Sequence, residues 1–448
     1  MSGQTDPRNQ ALSVLNEVLE GGAYANLAVA KALHKFSGAE RDKGLVTELV
    51  YGSLRRLGEL DAVLAQVSHR PLGDIDPVAR NILRLSVYQV LFLRVPDHAA
   101  VDQGVRLAKH NGVWKASGFI NATLRAVVSK PVSHWQEVIA TTQDIEDSHP
   151  VWIARELESA WLAQEGASDF SGVLTAHNER PRVTLACLPG ASEPHPNDTK
   201  TLWSPLGVVL AGGNPLADDR VAKGNARVQD EGSQLAALLL SRITPLTGSD
   251  LIADMCAGPG GKTAVLGAEA ALVGATVQAF EKVAHRAALV TDSVRAVNNA
   301  HPGTVTVAVA DATTVTGQFD RILLDAPCTG LGALRRRPEA RWRKHPEHLA
   351  ELVALQKKLL AQAVLLLKPG GVIAYVTCSP VLSETTEVIE DALMRFPELH
   401  TMDTPPVLDS IARTPVPHTR RGQAVQLWTH LHGTDSMFIQ LLTVKSSG

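Results

Sequence analysis

The sequence predicts an α/β protein in three parts: an all-α domain over residues 1–130, a small α+β connector over 131–235, and an open α/β sheet domain over 236–448. Three observations predict this. Apolar residues between 8 and 130 recur at helical spacing, with no strand alternation. From about residue 236, short β-rich runs alternate with helical stretches, as in sheets built from right-handed crossovers. A glycine-rich loop follows the first of those runs, where such sheets bind ligands.

In the first part, "ALSVLNEVLEGG" sets Leu12, Leu15, Val18 and Leu19 on one face and stops at Gly21 and Gly22. The same pattern recurs in "LVTELVYGSLRRLGELDAVLAQV" and "DPVARNILRLSVYQVLFLRVP", where Pro77 suits a first helical turn and Pro96 follows the end. "HAAVDQGVRLAKH" and "GFINATLRAVV" complete the helices. The connector holds a helix, "PVWIARELESAWLAQEG", and two strands, "RPRVTLACLPG" and "LGVVLAGG". The third part offers strands "DLIADMC", "ATVQAFE", "VTVAVAD", "FDRILLDAP" and "GVIAYVTCS", with helices at 261–271, 284–299, 346–367 and 383–396. Its last two runs, "AVQLWTHL" and "SMFIQLLTV", are joined by "HGTD" and read as an antiparallel hairpin at the sheet edge.

Composition narrows the class. No apolar run reaches the ~18 residues of a membrane helix. The start, "MSGQTDPRNQ", is polar and has no signal-peptide core, so a cytoplasmic protein is expected. Cysteines stand at 187, 256, 328 and 378 without a C-x-x-C, which indicates neither a zinc site nor a disulfide framework, and no metal is expected. Net charge is −3 overall; residues 1–130 carry 16 Lys/Arg against 12 Asp/Glu, or +4, leaving −7 for the rest. The densest basic run is "RRRPEARWRK" at 335–344. With Trp342 and Pro338 interleaved, it is a candidate for phosphate contact through Arg335, Arg336, Arg337, Arg341 and Arg343, against the alternative of a solvated face.

"DMCAGPGGKT" (254–263) contains Gly-Lys-Thr but is not a P-loop, because the required glycine position, 256, holds Cys256. Nor is it a dinucleotide loop, because position 263 is Thr where the third glycine of G-x-G-x-x-G belongs. Carboxylates close the neighbouring strands: Glu281, then Asp311, then Asp325 in "LLDAPC". Glu281 suits the two hydroxyls of a ribose. Any one such acid is more often a helix cap, but a series on consecutive strands points to an adenosine-bearing cofactor, and the loop favours S-adenosylmethionine.

"DAPCTG" (325–330) and "YVTCSP" (375–380) each end a strand in cysteine, so Cys328 and Cys378 should face one crevice. Buried inert thiols are the ordinary alternative. Methylation at C5 of a pyrimidine needs a thiolate that adds to C6, activates C5 and later leaves. Asp325 is placed to hydrogen-bond N3 and the exocyclic amine of a cytosine.

The motifs "DMCAGPGGKT", "LLDAPCTGLG", "RRRPEARWR", "LLKPGGVIAYVTCS" and "HGTDSMF", with the entry segment "VQDEGSQLAA", resemble the bacterial 16S rRNA cytosine-5 methyltransferases of the Fmu/Sun (RsmB) type. "VYGSLRRLGELD", "LRLSVYQVLFLRVPDHAAVDQGV" and "GFINATLR" resemble the NusB-like RNA-binding domain of that subfamily, so the similarity covers nearly the whole chain. The resemblance implies a Rossmann-like S-adenosylmethionine-dependent domain after the NusB-like one. It implies Cys378 as nucleophile, Cys328 in product release and Asp325 beside them. Its cofactor positions fall on Cys256, Ala257, Gly258, Pro259, Gly260, Gly261, Lys262, Glu281, Asp311 and Asp325, with Lys262 alternatively satisfying carbonyls near the helix start. It further implies action on an rRNA hairpin loop before the small subunit is fully assembled; a monomer that does not engage membranes is expected. Methylation of another RNA such as tRNA, or a non-catalytic RNA-binding assembly or antitermination role, are the alternatives. The sequence departs from the family at Thr329, where Ser is common, and after Cys378, where "SETTEVIE" keeps Glu384 but has Thr385 and Thr386 in place of an Asn-acid pair.

Overall fold

The computed structural model describes residues 6–142 and 145–445; the first five residues of the polar start lie outside them. The chain forms two compact units. The first comprises residues up to 155 together with 174–180 and 334–343, and the second comprises 156–173, 181–333 and 344 onward.

The first unit is helical, as its periodicity predicts. Helices run over Pro7–Leu19, Ala25–Lys35, Glu40–Arg55, Leu57–Val67, Pro77–Leu91, Asp97–His110, Ser117–Val128 and Val132–Ala140. Leu12, Leu15 and Val18 are buried in one core with Leu49, Ile82 and Leu124. Pro77 does occupy the first turn, and the Asp76 carboxylate accepts the Val78 and Ala79 N–H groups that the turn leaves free.

The segment 334–343 corrects the expectation for the basic run. Arg341 is fully buried. Its guanidinium donates to the carbonyls of Arg55, Ser148 and His177 and to Asn178 Oδ1. Arg343 donates to the carbonyls of Val18, Gly22 and Ala23, which capture a helix end, and Glu339 accepts the Ala25 N–H that opens the next helix. Arg335 is buried as well, and of the five arginines only Arg337 is exposed. The Arg341 and Arg343 charges are spent on groups inside the unit, so the run as a whole is neither a solvated face nor a free phosphate-binding face.

The second unit is built on a nine-stranded sheet. Its strands are β1 (Leu251–Asp254), β2 (Thr276–Glu281), β3 (Val305–Val309), β4 (Phe319–Asp325), β5 (Leu367–Thr377), β6 (Leu399–Thr401), β7 (Arg420–Arg421), β8 (Ala424–Gln426) and β9 (Phe438–Val444). They lie in the order β7-β8-β9-β5-β4-β1-β2-β3, with β6 also paired to β9. The run from β5 to β3 is parallel, and β9 joins β5 antiparallel. Residues 321–324 of β4 are all buried, as a central strand covered on both faces requires. The order turns back between β1 and β4, which opens a crevice at their carboxyl ends.

The crossover helices Gly261–Ala271, Ala284–Ala300 and Pro346–Leu366 fall where the sequence puts them. The C-terminal hairpin needs correction. β8 and β9 do pair antiparallel, but β9 lies inside the sheet between β5 and β8. "THLH" forms a short helix, Thr429–His432, rather than strand. A smaller antiparallel sheet holds Thr184–Cys187 and Gly207–Val209, both expected, with Thr199–Lys200 and Ala226–Val228.

Candidate active site

Each predicted site residue lies at or just beyond the carboxyl end of a parallel strand or in the loop that follows it. After β1 the chain turns through residues 255–260 and enters a helix at Gly261. Gly260 takes φ 103°, and a Cβ there would lie 2.6 Å from Ser293 Cβ. A Cβ on Gly258 would lie 2.2 Å from Glu281 Oε2. A side chain at Gly260 therefore has no space, and one at Gly258 would have to displace the Glu281 carboxylate. The loop is clamped to β2: Gly258 N–H donates to Glu281 Oε2 at 3.1 Å, Arg286 donates to the Gly258 carbonyl at 2.7 Å, and Ser293 donates to the Pro259 carbonyl at 2.9 Å. Ala257 N–H donates to the Phe280 carbonyl. A triphosphate loop needs its N–H groups free to face phosphate; here one already faces a carboxylate.

Three carboxylates, Glu281, Asp311 and Asp325, stand along this edge, with the buried Asp254 behind the glycine loop. Such a row repels polyphosphate and favours a ligand that carries a sulfonium and an ammonium beside its ribose. Glu281, which also accepts the Val283 N–H at 3.0 Å, keeps acceptor capacity for ribose hydroxyls. Asp311 pairs with Lys282 at 2.8 Å and accepts the Thr313 N–H, and the Lys282 and Thr313 hydrogen bonds hold its carboxyl down at about 2. It thus caps a turn, the commoner role of such an acid, while its charge stays at the strand end. Burial pushes the Cys256 thiol up, so it is a neutral wall of the loop.

Lys262 does not satisfy helix carbonyls. Its ammonium meets Asp325 Oδ2 at 2.7 Å. Burial pulls that ammonium down, but the Asp325 carboxylate more than offsets it, and Cys378 adds in the same direction. The loop after β1 is thereby tied to the strand end that carries the cysteines.

Cys328 and Cys378 face each other, sulfur to sulfur, at 3.4 Å. The Cys378 sulfur and burial together raise the Cys328 thiol well above its ordinary range. Cys328 therefore stays protonated near neutral pH and can donate its S–H to Cys378.

The sequence missed most of what holds the two cysteine loops together. Glu384 is fully buried and accepts the Thr329 N–H at 2.7 Å, the Thr329 hydroxyl, and Gln356 Nε2 at 3.1 Å. Gln356 also donates to the Pro327 carbonyl at 2.8 Å. Thr329, the family departure, supplies the hydroxyl that links Glu384 to Ser379. Thr385 closes its own turn by donating to the Val381 carbonyl, so Glu384 orders the Cys328 loop without the Asn-acid pair. Gly332 lies between loops: its N–H donates to the Cys378 carbonyl at 2.9 Å, and its carbonyl accepts the Ser436 N–H. Buried Arg421 donates to the Pro380 carbonyl at 2.9 Å and to the Ala160 carbonyl at 2.6 Å, steadying the chain after Cys378. Asp254 was legible only as the strand end before the loop; it is buried, accepts the Thr263 hydroxyl at 2.7 Å, and is raised by burial to about 7.

Fold and site together define an S-adenosylmethionine-dependent methyltransferase with a Rossmann-like domain. Residues 243–443 match the model for the 16S rRNA methyltransferase RsmB/F family, and residues 5–129 match the NusB family. The chain is 40% identical to the Mycobacterium tuberculosis protein Rv1407, which carries a methyltransferase name, over 98% of this chain and 96% of that one. It is 31% identical to the ribosomal RNA small subunit methyltransferase B of Pseudomonas putida, over 89% and 91%. The crystal structure of PH0851 shares the fold, with TM-score 0.78 at 21% identity over 98% of both chains. The chain belongs to the 16S rRNA methyltransferase RsmB/F family, and it is an S-adenosylmethionine-dependent RNA methyltransferase.

Proposed function

We propose that the protein methylates C5 of a cytosine in 16S rRNA through a covalent adduct between Cys378 and C6. The observation that carries this reading is the 3.4 Å cysteine pair, in which Cys328 is held protonated beside Cys378. The Lys262 ammonium, held by Asp325, lies within electrostatic range of Cys378. Bound S-adenosylmethionine supplies an electrophilic methyl group, for which the glycine loop, Glu281 and Asp311 form the cradle.

In the first step the Cys378 thiolate bonds to C6, and the C5–C6 π electrons move to C5. Asp325, ion-paired with Lys262, accepts a hydrogen bond from the exocyclic amine and so holds the ring in place for attack. C5 then takes the methyl group. The C5 proton passes to water, its C–H electron pair re-forms the C5–C6 double bond, the C6–S bond breaks, and the thiolate leaves on Cys378. Cys328, a neutral thiol in contact with that sulfur, assists this release. The target base must first leave its stack, which favours a hairpin loop as substrate. A monomer working in the cytoplasm suits this activity; among the described residues no helix is long and apolar enough to cross a membrane.

The test uses 16S rRNA and tRNA transcripts labelled with tritium at C5 of cytosine. Methylation at C5 must release tritium to water, and the 16S transcript should do so. Methyl incorporation without release would place the methyl group elsewhere. Release from tRNA alone would change the substrate.

A further inference from the structure

Arg341 and Arg343 are engaged by the first unit's own backbone, and that unit presents positive charge on another face as well. Residues 103–130 contain Arg106, Lys109, Lys115, Arg125 and Lys130 and no Asp or Glu, and all five cations are exposed. Helix Asp97–His110 buries Ala100, Val101, Gly104, Leu107 and Ala108, which leaves Arg106 and Lys109 facing solvent. The turn after it stays close, because Val113 N–H donates to the Ala108 carbonyl at 3.1 Å. That turn carries Trp114, whose side chain is 60% exposed although large apolar groups are normally buried. Lys115 Nζ lies 5.6 Å from the Trp114 ring centroid. Arg106 pairs with the exposed Asp102, an ion pair worth little in water and readily exchanged for phosphate. Arg106 and His110 also line a surface depression of about 410 Å³ with Asn9 and Gln103; the acid there, Asp6, is engaged as the cap of helix Pro7–Leu19.

We propose that Arg106, Lys109, Trp114 and Lys115 form an RNA-contact surface that takes a single-stranded stretch of the substrate RNA. The cations meet backbone phosphates, and the Trp114 ring stacks on a base. Charge sets the choice of partner: a row of exposed cations that outnumbers nearby acids such as Asp102 suits a polyanion, and an exposed aromatic ring among cations suits unpaired bases. A protein partner would more often need an apolar patch than a single ring. The inference rests on the RNA-methyltransferase reading above and adds where on the first unit the RNA lies.

Binding of a 16S rRNA transcript is measured against salt for the full-length protein, the Lys109→Gln/Lys115→Gln variant and Trp114→Ala. The double variant should flatten the salt dependence by roughly two units of slope, about one for each lysine that no longer neutralises a phosphate. Trp114→Ala should weaken binding about fivefold or more at unchanged slope, the effect of removing one stacking platform. Wild-type protein that binds and methylates RNA, with both variants indistinguishable from it, overturns the surface and leaves the function standing. Wild-type protein that neither binds nor methylates RNA overturns the functional reading and the surface with it. Variants that bind naked RNA normally but lose a partly assembled ribonucleoprotein would assign the surface to a protein partner and overturn the proposal.

Discussion

Replacing Glu384 by alanine should loosen the loop that carries Cys328. The carboxylate accepts the Thr329 N–H, the Thr329 hydroxyl and Gln356 Nε2, all in the buried interior. The amide of Thr329 has no substitute acceptor once the carboxylate is gone, and an orphaned buried donor costs about 1–3 kcal/mol. The hydroxyl can fall back on Ser379 and Gln356 on the Pro327 carbonyl, so these lose about 1 kcal/mol each. The sum, about 3–5 kcal/mol, lowers the melting temperature of this unit by roughly 6–20 °C. Glu384→Gln is the control: its oxygen can keep the amide and Gln356, and its NH2 can donate to a Thr329 hydroxyl turned toward Ser379. It should cost about 1 kcal/mol, the difference between a charge-assisted and a neutral hydrogen bond. Calorimetry gives the stabilities, and tritium release from the labelled transcript should fall at least tenfold for alanine and only a few-fold for glutamine. Alanine that melts and turns over like wild type, or glutamine as damaging as alanine, would refute the anchoring role.

Further outcomes follow from the same geometry. Gly258→Ala puts a Cβ 2.2 Å from Glu281 Oε2, so its affinity for S-adenosylmethionine by calorimetry should drop tenfold or more, while ATP and NAD should bind neither form. Arg341→Ala strips donors from four buried acceptors and should destabilise the first unit by several kcal/mol, about 1 per acceptor, without altering the salt slope of RNA binding. Asp254, raised by burial to about 7, keeps its proton in the folded state while the unfolded chain gives it up near pH 4. Its stabilising contribution is therefore full below about pH 4 and is lost as pH rises through 7. Melting of Asp254→Asn relative to wild type should improve steadily across that window.

The sheet and the outline of the site were legible because both depend on local pattern. Alternation of strands and helices marks the crossovers, and strand ends place the glycine loop, Glu281, Asp311, Asp325 and both cysteines along one edge. What was not legible depends on long-range partners. Arg341 and Arg343 sit in a basic run that looks solvent-facing, yet their acceptors lie more than 160 residues away in sequence. Lys262 near a helix start suggests a local role, but its partner Asp325 is 63 residues on. Glu384 was visible as a retained acid, and only the fold shows that Thr329 and Gln356 converge on it. The terminal hairpin was misplaced because alternation identifies a strand but not its neighbours, and β9 finds one on each side.

In the proposed mechanism Cys378 bonds to the cytosine and Cys328 assists its release, and the two cysteines can be separated in one experiment. Cys328→Ala and Cys378→Ala should be incubated with 16S rRNA transcript and S-adenosylmethionine, then run on a denaturing gel. Cys328→Ala should accumulate a slow, denaturant-resistant protein–RNA band, because addition and methyl transfer proceed and release stalls. Cys378→Ala should form no such band and transfer no methyl group. The reverse pattern would move the nucleophile to Cys328 while leaving C5 methylation in place. Full activity in both variants would contradict the cysteine mechanism altogether.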